Sequence, residues 1–199
     1  MTLFTKTASI LTTSLFLTGM SMSSLADWEL DGERSTVQFM SVKNASVAEL
    51  HHFRSITGGI SDTGAAQVAL DLDSVETLVP IRNQRMRELL FETVRFPAAI
   101  LRAEVPKSLS ELPVGETRDT AIEVEVDLHG AKQSYTTEVL VTRLKDGGLQ
   151  VVISEPLLVK AADFGLADGI EVLREVAGLQ SISTAVPVSG QLVFVPDSE

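Results

Sequence analysis

Apolar and polar residues alternate along most of the chain, and a period of two is typical of β-strands with one buried face. The clearest case is the segment 122–128, in which apolar residues alternate with Glu123, Glu125 and Asp127. Further segments of this kind follow one another with turn residues between them, such as Asp146-Gly147-Gly148 before 149–153. The pattern predicts about eight antiparallel strands.

Two of these strands carry residues that predict an irregularity. The segment 52–60 reads as one strand, with a bend or bulge at Gly58-Gly59. The last strand, 182–194, contains Pro187, which cannot donate a backbone hydrogen bond and therefore favours an edge or bulged position.

The alternation is interrupted twice by segments that we interpret as helical. An insert at about 80–92 is rich in arginine and in Met, Leu and Phe. At about 166–178 the apolar residues Leu166, Ile170 and Leu173 recur with a period near 3.6, which predicts a short amphipathic helix ending at Gly178.

Eight antiparallel strands can close into a barrel just wide enough for side chains or one slender ligand. A two-layer sandwich has the same alternation, so the pattern alone leaves both architectures open.

The first 26 residues resemble a secretory signal peptide. They carry one charged side chain, Lys6, then a short apolar stretch, and end in Ser24-Leu25-Ala26. Cleavage is expected after Ala26, which leaves 27–199 as a single exported domain. The apolar stretch is too short and too rich in Thr and Ser to predict a membrane span, so we do not expect an integral membrane protein.

Composition excludes several classes of function. Without Lys6 the chain from Asp27 has 15 Lys and Arg against 27 Asp and Glu, a formal charge of −12, which argues against nucleic acid as a partner. There are no cysteines, and therefore no disulfides or thiolate sites. His51 and His52 point to opposite faces of a strand, which does not favour a shared metal.

We expect no enzymatic activity, because the common catalytic motifs are missing. The sequence has no Gly-x-Ser-x-Gly elbow, no phosphate-binding loop and no His-Glu-x-x-His. An enzyme would need polar groups that converge inside the barrel, and His52, Tyr135 and Asp163 are the candidates.

Motifs spread over nearly the whole mature chain resemble those of the YceI-like family. They include Trp28, Leu30-Asp31, Ser35-Thr36-Val37-Gln38-Phe39, His52-Phe53, Gly59-Ile60, Ser74-Val75-Glu76-Thr77, Arg82-Asn83, Met86, Leu90-Phe91, Phe96-Pro97, Leu128-His129-Gly130 and Asp163-Phe164-Gly165. The chain departs from the family pattern at Ala131, at Lys160, and at Asn83 and Arg85 in the insert. These departures leave the preferred head group open.

The resemblance implies an all-β fold, a single eight-stranded antiparallel lipocalin-like barrel with two short helical pieces. It also implies an apolar tunnel for a polyisoprenoid chain or an isoprenoid quinone, and a role as a periplasmic carrier or store. No covalent cofactor or metal is implied, and a homodimer is left open. The alternative is an envelope stress or partner-binding protein with a filled barrel and no lipid.

The resemblance and the alternation together predict the residues that line the tunnel. They are Val37, Phe39, Phe53, Val68, Leu70, Leu72, Met86, Leu90, Phe91, Ala99, Leu101, Val124, Val126, Leu128, Tyr135, Val139 and Phe164. The alternative for the strand residues is an ordinary filled core, and for the insert residues a plug rather than a lid. Arg82 and Arg85 are predicted at the mouth, facing a head group; alternatively they are solvated or paired with Glu88 and Glu92.

Overall fold

The computed structural model describes residues 26–197, and their dominant structure is β-strand. The strands are β1 (Ala26–Leu30), β2 (Thr36–Lys43), β3 (Val47–Phe53), β4 (Ile56–Ser61), β5 (Ala65–Asp71), β6 (Val75–Glu76), β7 (Ala98–Glu104), β8 (Thr117–Leu128), β9 (Ala131–Arg143), β10 (Leu149–Ile153), β11 (Leu157–Lys160) and β12 (Ala185–Pro196). The predicted signal peptide, apart from Ala26, lies outside the described residues.

Eight of the strands close into an antiparallel barrel, which confirms the predicted fold class. The ring runs β1-β4-β5-β7-β8-β9-β10-β12, and β12 pairs with β1 to close it, with Trp28 opposite Pro196. The remaining four strands extend the wall. β2 pairs with β12 beyond the end of β1, β3 pairs with β2, β6 pairs with β3, and β11 pairs with β12 beyond β10. Along β12, therefore, each neighbouring position in the barrel wall is filled by two short strands in succession, β1 and β2 on one side and β10 and β11 on the other.

The prediction of one strand over 52–60 is wrong. β3 ends at Phe53 and β4 begins at Ile56, with Arg54 and Ser55 forming a corner. Backbone groups at this corner bond outside the strands, because the Ser55 amide donates to Ser74 Oγ at 3.0 Å and the Arg54 amide donates to the Ser74 carbonyl at 3.2 Å. The corner lets β3 pair with β2 while β4 pairs with β1.

A glycine is required at position 58 because β4 and β5 approach each other closely there, and not because the strand has a bulge. The ladder between β4 and β5 continues through Gly58 and Val68 without a register shift. A Cβ atom at Gly58 would lie 2.2 Å from the carbonyl oxygen of Gln67. Pro187 does lie at the end of a ladder, because the pairing of β12 with β2 begins at Val188.

The two helical pieces lie close to their predicted positions. The insert forms α1 (Pro80–Arg85) and continues as a π-helical segment, Met86–Phe91. A short α2 (Lys107–Ser110) was not predicted, and α3 spans Ala167–Val176. Gly169 of α3 lies against the π-helical segment, where a Cβ atom would be 2.8 Å from the Leu89 carbonyl oxygen. The π-helical segment and α3 together cover one end of the barrel.

Candidate binding cavity

The barrel encloses a cavity of about 240 Å³ with an almost entirely apolar lining. Thr137 and Arg102 are the polar residues in the lining, and both have their polar atoms engaged elsewhere. Thr137 Oγ1 donates to the Glu155 carbonyl at 3.0 Å, and the Arg102 guanidinium donates to Glu125 on the outer wall at 3.3 Å. The interior therefore offers a ligand dispersion contacts and no hydrogen bonds.

Small residues on two adjacent strands help to keep the cavity open. Ala66 of β5 lies opposite Ala103 of β7, and Leu70 lies opposite Ala99 on the same two strands. Protein interiors rarely leave space larger than a water molecule, and an apolar cavity of about 150 Å³ is enough to hold benzene. This cavity is thus large enough for part of an isoprenoid chain, and a longer chain requires side chains around it to move.

Helical segments cover both ends of the cavity. At one end Leu109 of α2 is buried, and α2 is held by Arg118 and Arg143, which donate to the carbonyls of Ser108 and Ser110. The opposite end is covered by the π-helical segment and α3. We use the name helical cap for these two segments, Met86–Phe91 and Ala167–Val176.

Most residues predicted to line a tunnel do line this cavity. They are Val37, Phe39, Phe53, Val68, Leu70, Leu72, Leu90, Phe91, Ala99, Leu101, Val124, Val126, Leu128 and Val139. The strand residues point inward because the alternation in the sequence matches the two faces of the wall. Whether they contact a lipid remains a prediction.

Met86, Tyr135 and Phe164 are not among the lining residues. Phe164 is 1% exposed and packs in the core within the Asp163-Phe164-Gly165 turn, while Met86 is buried within the helical cap. Tyr135 is half-buried, and its hydroxyl has no hydrogen-bond partner in the described part of the chain. Burial, together with the Asp163 carboxylate, raises the pKa of Tyr135.

Sequence reasoning missed the contribution of β10, β11 and β12 to the lining. The missed residues include Leu149, Val151, Ile153, Leu157, Val159, Val186, Val188, Leu192 and Phe194. Their spacing of two is the signal that could have identified them.

Arg82 lies in a half-buried ion pair near the cap rather than in the cavity lining. Its terminal nitrogens donate to Glu49 Oε2 at 2.6 Å and to the Thr77 carbonyl at 2.7 Å. For Arg82 the alternative pairing with Glu88 and Glu92 is wrong, because its guanidinium pairs with Glu49; Glu88 accepts from Gln84 and Glu92 from Arg95. Arg85 is half-buried at the end of α1, and contact of either arginine with a head group remains a prediction.

The three candidate catalytic residues do not converge in one site, because His52 is separate from the other two. His52 alternates with the buried His51 and Phe53 and therefore lies on the outer face of β3, away from Tyr135 and Asp163. His129 is used in a turn, where its Nδ1 lies 3.2 Å from the Phe164 carbonyl oxygen. Within residues 26–197 no group of three His, Asp or Glu side chains is placed to hold a metal ion.

The comparison with protein families decides the assignment. The model of the YceI-like domain matches residues 28–194, which is most of the chain. The chain belongs to the YceI-like domain family. Comparison with curated proteins finds no match.

Solved structures similar to this YceI-like chain include a polyisoprenoid-binding domain from Saccharophagus degradans implicated in plant cell wall breakdown. It is 39% identical, with a TM-score of 0.85, and the alignment covers 87% of this chain and all of that one. BcnA from Burkholderia cenocepacia is 16% identical with a TM-score of 0.65, over 82% of this chain and 98% of that one, and supports the fold alone. Among the described residues of the YceI-like chain, no helix is long and apolar enough to cross a membrane.

The YceI-like barrel also buries a histidine beside its cavity. His51 is 2% exposed, and its Nε2 lies 2.8 Å from Ser41 Oγ. Burial and the positive charge of Arg82 lower the pKa of His51 from 6.5 to about 4, although the Glu49 carboxylate acts in the opposite direction. The imidazole is therefore neutral at neutral pH. Lys43 and Arg82 in turn lower the pKa of Glu49 through hydrogen bonds and charge.

The lowered pKa of His51 predicts a loss of stability on mild acidification. Between pH 6.5 and 4 the unfolded chain binds a proton at His51 that the folded chain does not, so the free energy of unfolding falls as pH falls. A shift of this size corresponds to about 3 kcal/mol by pH 4. Urea unfolding at pH 7 and pH 4.5 should show a loss about 2 kcal/mol larger in the wild type than in His51→Gln. Equal losses in the two proteins would contradict the lowered pKa.

Proposed function

We propose that this YceI-like protein binds an isoprenoid lipid, a polyprenyl chain or isoprenoid quinone, in its barrel and carries or stores it in the periplasm. The apolar cavity is the observation on which the proposal rests, because its lining offers contacts to a hydrocarbon and no free polar atoms. Each buried methylene contributes about 0.8 kcal/mol, so a tail can bind well without a polar anchor. The 39% identical polyisoprenoid-binding domain supports the same ligand class.

Export to the periplasm forms the second part of the proposal. A signal peptide over 1–26 would release a mature chain of 27–199 as one domain. Fractionation of cells that produce the full chain, followed by N-terminal sequencing, tests this directly. Asp27 as the first residue of a periplasmic protein would support it, whereas an uncleaved chain in another fraction would contradict it.

A carrier role makes a kinetic prediction that a binding assay alone does not test. Donor vesicles loaded with a prenyl quinone are mixed with acceptor vesicles and the mature protein, and the quinone in the acceptors is followed with time. We expect the transfer rate to rise in proportion to protein concentration. Stoichiometric binding without transfer would favour storage, and no binding would remove both roles.

The partner-binding alternative has one observation in its favour. Leu78 is 85% exposed and Val94 is 100% exposed, and Ile81 lies exposed between them on the insert. Such residues can contribute to an interface, including that of a homodimer. The alternative also requires a filled barrel, however, and the apolar cavity counts against it. We further infer that the protein is not an enzyme, since His52 lies on the outer face of β3 and does not join Tyr135 and Asp163 in one site.

A further inference from the structure

A cluster of polar side chains continues the inward face of β2 and β3 beyond the apolar cavity, where it meets Arg82 of α1. We call it the His51 pocket and define it by Ser41, Lys43, Glu49, His51 and Arg82. Its residues are joined through Glu49 Oε2, which lies 2.8 Å from Lys43 Nζ and 2.6 Å from an Arg82 terminal nitrogen. Ser41 and His51 complete the pocket through their hydrogen bond. These contacts hold the side chains of the His51 pocket in position relative to one another.

Two polar atoms of the His51 pocket are buried and unused. Neither His51 Nδ1 nor Arg82 Nε has a hydrogen-bond partner among the residues that the structure describes. Buried polar groups are nearly always paired, and an unpaired one costs stability. Both atoms are therefore free to donate to a polar group of a ligand.

The His51 pocket shares a wall with the cavity. His51 lies opposite Phe39 in the ladder between β2 and β3, with ring centroids 5.2 Å apart, and Phe39 lines the cavity. Phe53, two residues further along the same face of β3, also lines it. His51 is therefore the next inward residue of β3 beyond the cavity lining, and a ligand that extended past Phe39 would meet it there.

We propose that the His51 pocket binds the polar head of the prenyl lipid through a neutral acceptor oxygen, such as a quinone carbonyl. This proposal rests on the proposed function. Ser41 can donate to His51 Nε2, which leaves Nδ1–H free to donate, and Arg82 Nε–H is a second donor. Both terminal nitrogens of Arg82 are already engaged by Glu49 and Thr77, and Lys43 Nζ is bonded to the same carboxylate, so neither cation is left unpaired for a phosphate. The pocket therefore favours a neutral oxygen over a phosphate.

Two probes with the same tail distinguish the contribution of the head group to binding affinity from that of the tail. One is a benzoquinone that carries a four-isoprene tail, and the other is the same tail as a hydrocarbon without a ring. In His51→Phe we expect the affinity for the quinone to fall about fivefold, the effect of one lost hydrogen bond, while hydrocarbon affinity changes less than twofold. His52→Phe is the matched control, because the same substitution falls on the outer face of the same strand.

Each outcome bears on one proposal or the other. Wild-type protein that binds neither probe contradicts the proposed function itself. Equal losses for both probes in His51→Phe, or no loss for either, overturn the His51 pocket and leave the proposed function standing. Tighter wild-type binding of the four-isoprene phosphate than of the quinone overturns the neutral head. If His51→Phe does not fold, His51→Leu, which also lacks the donor, is measured with the same probes. A loss of affinity confined to the quinone supports the pocket, and any other result overturns it.

Discussion

Replacing Ala103 with phenylalanine is expected to reduce binding of a prenyl lipid by about a thousandfold while the protein stays folded. Ala103 lines the cavity opposite Ala66, so the new ring enters the space that the two alanines leave. It displaces about five carbon atoms of a tail, which corresponds to about 4 kcal/mol of lost burial. Equilibrium binding of a prenyl quinone to wild type and variant measures the effect.

Ala98→Phe is the control for this substitution. Ala98 is on the same strand, β7, but alternates with the inward Ala99 and therefore faces outward. The same added ring should leave binding within about twofold at this position, because it does not enter the cavity. Loss of binding in both variants, or in neither, would contradict the assignment of the cavity as the ligand site.

Phe164→Ala is expected to lower the free energy of unfolding by about 3–5 kcal/mol without removing lipid binding from the folded fraction. Phe164 is among the largest fully buried side chains, and its backbone carbonyl lies within hydrogen-bond distance of His129 Nδ1. Loss of the ring leaves a void in a core that packs tightly. For a domain of this length the transition temperature should fall by about 6–20 °C.

Two further substitutions show whether the effect comes from packing at Phe164. Phe164→Leu keeps most of the volume and should cost about 1 kcal/mol, and Val94→Ala at a fully exposed site should cost less than about 0.5 kcal/mol. Binding is then compared per folded molecule. A thousandfold loss of affinity in folded Phe164→Ala would show that Phe164 contacts the lipid, as the sequence predicts, although it does not line the cavity.

Strands with one solvent-exposed face could be predicted from the sequence, because apolar and polar residues alternate along their whole length. In β8 the outward Glu125 is paired with Arg102 and Lys132 across the outer wall, and its apolar neighbours point inward. The corner at Arg54 and Ser55 was not predictable, since its hydrogen bonds come from Ser74, about twenty residues away. The pattern of residues around Arg54 and Ser55 does not indicate a contact with a residue so remote in sequence.

The sequence could predict which residue types form the candidate site, but not which of them the strand pairing brings together. Alternation places His51 and His52 on opposite faces, yet only the pairing of β3 with β2 beside Phe39 shows that His51 is the buried one. The cavity depends on Ala66 meeting Ala103 across two strands, and this register cannot be obtained from either strand alone. The partner of Arg82 is equally remote in sequence, because Glu49 lies on β3.

Native mass spectrometry of the mature protein, purified from its own periplasm without detergent and followed by solvent extraction, tests the central claim most directly. The account predicts one prenyl lipid per protein molecule, released by solvent and identifiable by its mass. Its head should carry a neutral oxygen. An empty protein that also rejects added prenyl quinones, prenyl phosphates and the corresponding hydrocarbons would contradict the account and favour a partner-binding role for the barrel.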